Sequence, residues 1–121
     1  MAYRVLIVDD EPSIRLAVSR YFTTIGFTTE MVATLSAAKT AVDERPFDVI
    51  ITDLRLGAGL DDGGLVLASY CTTARPGAKL VILTAYASPE TDSRARALGA
   101  VVVGKPKPLP DLAQVVMGLL A

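Results

Sequence analysis

Apolar and polar residues fall into short alternating blocks along this chain, and the blocks favour an α/β fold. Four apolar runs are short, rich in β-branched residues and not alternating, at 5–8, 49–52, 80–83 and 101–103. Such runs are typical of parallel strands that are buried on both faces of a sheet. A weaker run at 27–33 predicts a fifth strand, which we place at an edge of the sheet.

Helical patterns occupy the segments between these runs. Apolar residues at helical spacing follow Pro12 and continue to Gly26, a residue that can end a helix. Thr34 is a candidate N-cap for a helix that Pro46 closes, and Ser88 is a candidate N-cap for another. The remaining helices are predicted at 64–74 and 110–121. The β-α alternation predicts one domain over 1–121, with a doubly wound parallel sheet and helices on both faces.

Composition excludes several classes of function. The chain has 121 residues, 51% of them hydrophobic, and a net charge of -1, so it has no basic surface typical of nucleic-acid or membrane binding. It has no histidine, which excludes histidine-based catalysis and a role as a phosphohistidine donor. The single cysteine excludes an internal disulfide and, with no recognisable signal peptide, predicts a cytoplasmic protein.

Polar residues follow four of the predicted strands at the point where each strand ends. Asp9 and Asp10 follow the first strand, Asp53 the third, Thr84 the fourth and Lys105 the fifth. Because ligands of open parallel sheets bind at the carboxyl ends of the strands, we expect these side chains to lie together. A hard divalent cation, Mg²⁺ or Mn²⁺ in its place, would relieve the repulsion between the carboxylates. An aspartate beside such a cation can be a nucleophile toward phosphorus.

These residues lie in segments that occur in a known order. The chain resembles, from end to end, the receiver domain of two-component response regulators, through "LIVDDEPSIR", "DVIITDLRL", "VILTAYAS", "LGA" and "GKP". The resemblance implies a flavodoxin-like (βα)5 fold with strand order 2-1-3-4-5. It also implies that Asp53 accepts a phosphoryl group from a sensor histidine kinase or a histidine phosphotransfer protein. Thr84 and Lys105 would contact the phosphoryl oxygens, and Lys105–Pro106 would be a cis peptide bond.

The same resemblance implies a set of Mg²⁺ ligands. Asp10 and Asp53 would bind the ion directly, Asp9 mostly through water, and the backbone carbonyl of Arg55 would be a further ligand. The chain would act as a switch rather than as an enzyme with a separate substrate, and would be a monomer or a weak dimer.

The chain departs from the family pattern in places that affect how a signal would be read. Gly57 stands where a proline is usual, and the glycine-rich loop 57–64 is longer than is common. Val102 stands where many receivers have the aromatic residue that turns inward on phosphorylation. Arg55 and Tyr86 should flank the phosphoryl group and influence its lifetime; the alternative is that both point to solvent.

Two other functions are compatible with the sequence. The departures would suit a pseudo-receiver that binds partners without phosphorylation. An Mg²⁺-dependent phosphatase with an aspartyl nucleophile is less favoured, because Arg55 holds the place where that chemistry needs a general-acid aspartate. A single-domain regulator and a receiver cut from a longer protein are equally compatible, and the downstream protein is not identified.

Overall fold

Strands and helices alternate strictly along the chain in the computed structural model, which describes residues 2–57, 59 and 61–121. The strands are β1 (Arg4–Val8), β2 (Thr28–Val32), β3 (Val49–Asp53), β4 (Lys79–Thr84) and β5 (Ala100–Gly104). The helices are α1 (Pro12–Thr24), α2 (Leu35–Glu44), α3 (Gly63–Ala74), α4 (Pro89–Ala97) and α5 (Leu109–Leu120). Within the described ranges, no helix combines the length and the apolar character needed to cross a bilayer.

The five strands form one parallel sheet in the order β2-β1-β3-β4-β5. This confirms the flavodoxin-like fold and the strand order, and it places β2, the weakest run in the sequence, at an edge. The chain runs outward from β1 to β2 and then returns to β3 on the other side of β1. The strand order therefore reverses between β1 and β3, which is the place where such sheets bind ligands.

A separate hydrophobic core covers each face of the sheet. Consecutive strand residues alternate between the two cores, so that Leu6 of β1 packs on one face and Ile7 on the other. Helices α2, α3 and α4 cover the first face, and α1 and α5 cover the second, where Phe22 is completely buried. Burial on both faces explains why β1, β3, β4 and β5 are apolar at successive positions, whereas β2, at the edge, is only partly buried and more polar.

Side chains at the helix ends have the roles that the sequence predicts. The Thr34 hydroxyl accepts a hydrogen bond from the Ala37 N–H at 3.1 Å, and the Ser88 hydroxyl accepts one from the Thr91 N–H at 3.1 Å. Gly26 follows α1 with a φ of 106°, a conformation that only glycine adopts at little cost. The predicted caps are therefore confirmed, and they determine where the loops at the edges of the sheet begin.

Candidate functional site

Three carboxylates meet at the carboxyl edge of the sheet, beside the point where the strand order reverses. Asp9 and Asp10 directly follow β1, and Asp53 is the last residue of β3, the strand next to β1. One carboxylate oxygen from each residue lies within 4.8 Å of the other two. The structure thus brings together the three aspartates that the strand ends predict to be neighbours.

One ammonium group lies between two of these acids. The Lys105 Nζ is 3.4 Å from Asp9 Oδ2 and 3.4 Å from Asp53 Oδ1. Asp9 is only 3% exposed, and its other oxygen, Oδ1, accepts the Glu11 N–H at 2.9 Å. The Lys105–Pro106 peptide bond is cis, as the resemblance implies. Asp9, Asp53 and Lys105 therefore form a mostly buried, hydrogen-bonded unit, which we call the buried half of the site.

The surroundings of Asp53 disfavour its charged form. Burial raises the pKa of the Asp53 carboxyl above its ordinary value, and the nearby Asp9 charge raises it further. Lys105 lowers the pKa, through its charge and its hydrogen bond, but does not cancel the first effect. A second cation near Asp53 would therefore stabilise the carboxylate, the form that can act as a nucleophile.

The donor atoms of the cluster fit a hard divalent cation. All three side chains offer carboxylate oxygens, the ligands that Mg²⁺ and Mn²⁺ prefer over nitrogen or sulfur. The single ammonium of Lys105 leaves two negative charges uncompensated among the three acids. The chemistry of the cluster thus suits a divalent metal ion, with Asp9, Asp10 and Asp53 as the residues that would hold it.

Asp10 differs from the other two acids because its side chain is exposed to solvent. Its Oδ2 accepts a hydrogen bond from the backbone N–H of Gly57 at 3.0 Å. Gly57 lies in the loop between β3 and α3, with a φ of 83°. The loop that follows Asp53 is therefore tied to the acid pair that follows β1. The rest of the glycine-rich loop 57–64 includes Ala58 and Leu60, which lie outside the described residues.

Arg55 and Tyr86 contact each other across the mouth of the site. The guanidinium carbon of Arg55 lies 4.4 Å from the centroid of the Tyr86 ring, a cation–π arrangement. Tyr86 is 65% exposed, so the pair lies at the surface and joins the loops that follow β3 and β4. The sequence left two alternatives, that both side chains flank the phosphoryl group or that both point to solvent, and neither describes this mutual contact. The role of the Arg55 carbonyl as a metal ligand stays a prediction.

The remaining predicted residues lie on β4 and β5. Thr84 ends β4, is 2% exposed, and its hydroxyl accepts the Tyr86 N–H at 2.9 Å. Val102 is paired in register with Ile82 in the sheet and packs, half-buried, against the core on the α2–α4 face. Thr84 is therefore placed at the edge where Asp53 lies, whereas Val102 contributes to packing and carries no ring that could rotate.

Two residues that support the site could not be identified from the sequence alone. The guanidinium of Arg15, in the first turn of α1, donates a hydrogen bond to the Asp9 carbonyl at 2.7 Å. Gly64 lies so close to β3 that a Cβ there would be 2.5 Å from the Asp53 carbonyl oxygen. The adjacent glycines at 63–64 are compatible with such a close approach, but adjacent glycines are equally typical of a loop.

The fold and this arrangement agree with the comparisons with known proteins. The family model of the response regulator receiver domain matches residues 5–117, and the chain belongs to that family. The photosynthetic apparatus regulatory protein RegA of Rhodobacter capsulatus is 33% identical over 108 residues, which cover 88% of this chain and 57% of RegA. The chain therefore spans about half the length of that relative.

Solved structures extend the likeness to the whole chain. The chemotaxis response regulator CheY4 of Vibrio cholerae has a TM-score of 0.87 and 26% identity, and the match covers 98% of this chain and 99% of CheY4. A response regulator of Burkholderia pseudomallei, solved with a phosphorylated aspartic acid, a calcium ion and citrate, has a TM-score of 0.84 and 25% identity. That match covers 94% of this chain and 66% of the other.

Proposed function

We propose that this chain is a phosphorylation-controlled switch in which Asp53 accepts a phosphoryl group from a histidine kinase or a histidine phosphotransfer protein. The observation that supports this most is the convergence of Asp9, Asp10 and Asp53, with the Lys105 ammonium 3.4 Å from two of them. In this proposal the chain acts in the cytoplasm, turns over no separate substrate, and signals by a change in protein binding.

The buried half of the site can perform the chemical step. A carboxylate oxygen of Asp53 attacks the phosphorus of the phosphohistidine, the P–N bond breaks, and the imidazole leaves and takes up a proton, so that an acyl phosphate remains on Asp53. The chain has no histidine, and the donor must therefore be another protein or a small molecule. Mg²⁺ held by the three aspartates would neutralise charge on the phosphoryl oxygens.

Lys105 and Thr84 would then stabilise the phosphorylated state. The Lys105 ammonium already contacts Asp53, so it can follow the negative charge from the carboxylate to the phosphoryl oxygens with little movement. The Thr84 hydroxyl lies at the same edge, accepts a hydrogen bond from the Tyr86 N–H, and donates none to any described residue. The Thr84 hydroxyl can therefore donate a hydrogen bond to a phosphoryl oxygen.

A groove beside the site offers a place for the protein that donates the phosphoryl group. It has a volume of about 450 Å³ and lies between α1 and the start of α5, with Ile14, Ala17 and Leu109 among its apolar lining residues. Lys105, which contacts Asp53, lines the same groove. A partner helix that packs its apolar face there could therefore direct a phosphohistidine at Asp53. A larger groove between α2, α3 and α4 is lined neither by the three clustered acids nor by Lys105.

Phosphorylation by a small donor tests the proposal without knowledge of the partner. Incubation with acetyl phosphate and Mg²⁺ should add one phosphate to the protein by intact mass. The label should be removed by hydroxylamine, as expected for an acyl phosphate, and should not form when EDTA replaces Mg²⁺.

Two variants locate the label. Asp53→Ala should abolish it completely, whereas Asp61→Ala, which removes an exposed acid from the following loop, should leave it unchanged. Label that persists in Asp53→Ala would refute the assignment of Asp53. Wild-type protein that binds Mg²⁺ but never acquires label would instead support the pseudo-receiver.

A further inference from the structure

Asp10 is the only one of the three clustered acids whose side chain is exposed. Asp9 is held by Glu11 and Lys105, and Asp53 by Lys105. Among the described residues, the Gly57 N–H is the one hydrogen-bond donor to the Asp10 carboxylate, at 3.0 Å. An exposed aspartate without such a contact samples several rotamers, so this bond is what favours the rotamer that points into the cluster.

The residue type at position 57 makes this bond possible. Gly57 has a φ of 83°, in the left-handed region that glycine enters without strain. Proline, the usual residue of the family at this place, has no N–H and is fixed near φ -65°, so it could not make the contact. The departure from the family pattern therefore supplies a donor that the usual residue lacks.

We propose that Gly57 is a positioning residue for Asp10, and that its N–H couples the conformation of the loop after Asp53 to metal binding. The bond uses Oδ2 of Asp10, and one carboxylate oxygen of Asp10 lies within 4.8 Å of an oxygen of each of the other two acids. Because coupling between two equilibria is reciprocal, a cation at the cluster should favour the Gly57 conformation that donates to Asp10 by the same factor by which that conformation favours the cation. The inference rests on the proposed function for the identity of the ion.

Mg²⁺ affinity provides the first test, with a matched pair of variants. Gly57→Pro removes the donor, whereas Gly59→Pro replaces a second glycine of the same loop whose φ is 78° and whose N–H no described carboxylate accepts. Gly57→Pro should weaken Mg²⁺ binding about three- to tenfold, as expected for one charge-assisted hydrogen bond, and Gly59→Pro less than about twofold. Affinity is measured from the rise in melting temperature with Mg²⁺ alone.

A double-mutant cycle separates positioning from general damage to the loop. In an Asp10→Ala background, Gly57→Pro should cause no further loss of Mg²⁺ affinity, whereas in an Asp9→Asn background its three- to tenfold effect should persist. A loss of equal size in all three backgrounds, or equal losses for Gly57→Pro and Gly59→Pro, would overturn the proposal.

The same cycle without metal tests the bond independently of the proposed function. In EDTA, the effects of Gly57→Pro and Asp10→Ala on the unfolding equilibrium constant should not be independent: the effect of Gly57→Pro should be about three- to tenfold smaller in the Asp10→Ala background than in the wild type. Additive effects there would refute the contact itself. Coupling in EDTA together with no response of the wild type to Mg²⁺ would preserve the contact, refute the coupling to metal, and contradict the proposed function.

Discussion

The two halves of the site are held in different ways. In the buried half, Asp9 and Asp53 share one ammonium, and Asp9 also accepts a backbone N–H. The exposed half consists of Asp10, Arg55, Gly57 and Tyr86, and its members are linked to one another by two single contacts at the surface, Asp10–Gly57 and Arg55–Tyr86. The buried half therefore provides a fixed place for chemistry, and the exposed half can change its contacts at little cost.

This difference suggests a division of roles. The groups that would carry charge in phosphoryl transfer lie on or directly after the strands. Of the departures from the family pattern, Gly57 and the longer loop 57–64 follow β3, whereas Val102 lies within β5. A loop with few contacts is where local opening is cheapest. We therefore expect substitutions in the buried half to alter stability more than those in the exposed half.

The largest effect is expected for Gly64→Ala, beside the buried half. The added Cβ would lie 2.5 Å from the Asp53 carbonyl oxygen and 3.0 Å from the Leu54 Cα, and backbone atoms cannot rotate away. We expect the free energy of unfolding to fall by about 2–3 kcal/mol in urea denaturation without metal. Gly77→Ala, where nothing lies within 4 Å, is the control and should change it by less than about 0.5 kcal/mol. Equal effects would contradict the close approach.

A smaller effect of opposite sign is expected for Asp53→Asn. Since the folded protein raises the pKa of Asp53 above 3.8, its protonation favours folding, and that contribution is lost as the pH rises through the folded pKa. The variant should therefore be more stable than the wild type at pH 7 in EDTA, by roughly 1 kcal/mol. The gain should shrink as the pH falls through that pKa.

Mg²⁺ should reverse the order of stability at pH 7, because the wild type keeps the full set of carboxylates. Melting curves of both proteins, with and without Mg²⁺, give the measurement. A wild type that is more stable than Asp53→Asn in EDTA would show that Lys105 outweighs burial and the Asp9 charge.

The smallest effect is expected in the exposed half, for Tyr86→Leu. An exposed cation–π contact contributes about 0.5 kcal/mol, so the coupling between Tyr86→Leu and Arg55→Met in a double-mutant cycle should be close to that value. Chemical denaturation in low salt is the measurement. Coupling above about 2 kcal/mol would mean that the exposed half is as firmly held as the buried half.

Four of the five strands could be predicted from the sequence because each carries a clear apolar signal, whereas the strand order was implied by the family resemblance. Buried parallel strands need apolar residues at successive positions, and residues such as Leu6 and Ile7 meet that need on opposite faces. Chemistry at strand ends is predictable for a related reason, since topology alone brings Asp9, Asp53 and Lys105 to one edge.

Contacts between loops could not be predicted in the same way. The Gly57–Asp10 bond depends on one positive φ, and the Arg55–Tyr86 contact on two side-chain rotamers, and neither leaves a periodic pattern in a sequence. Arg15 illustrates the same limit, because its partner is a backbone carbonyl that every residue possesses. Sequence thus determines which residues reach the edge of the sheet, whereas local geometry determines how they are paired.

The contact between Lys105 and Asp9 joins residues that are 96 positions apart in the chain. Asp9 follows the first strand and Lys105 the last, so the pair exists only when both ends of the sequence have joined the same sheet. Partial unfolding that releases either terminal region removes half of the pair. A ligand held between these residues would therefore raise the free energy of global unfolding of the domain. It would slow hydrogen exchange most at the best-protected amides of the central strands, which exchange only through that unfolding.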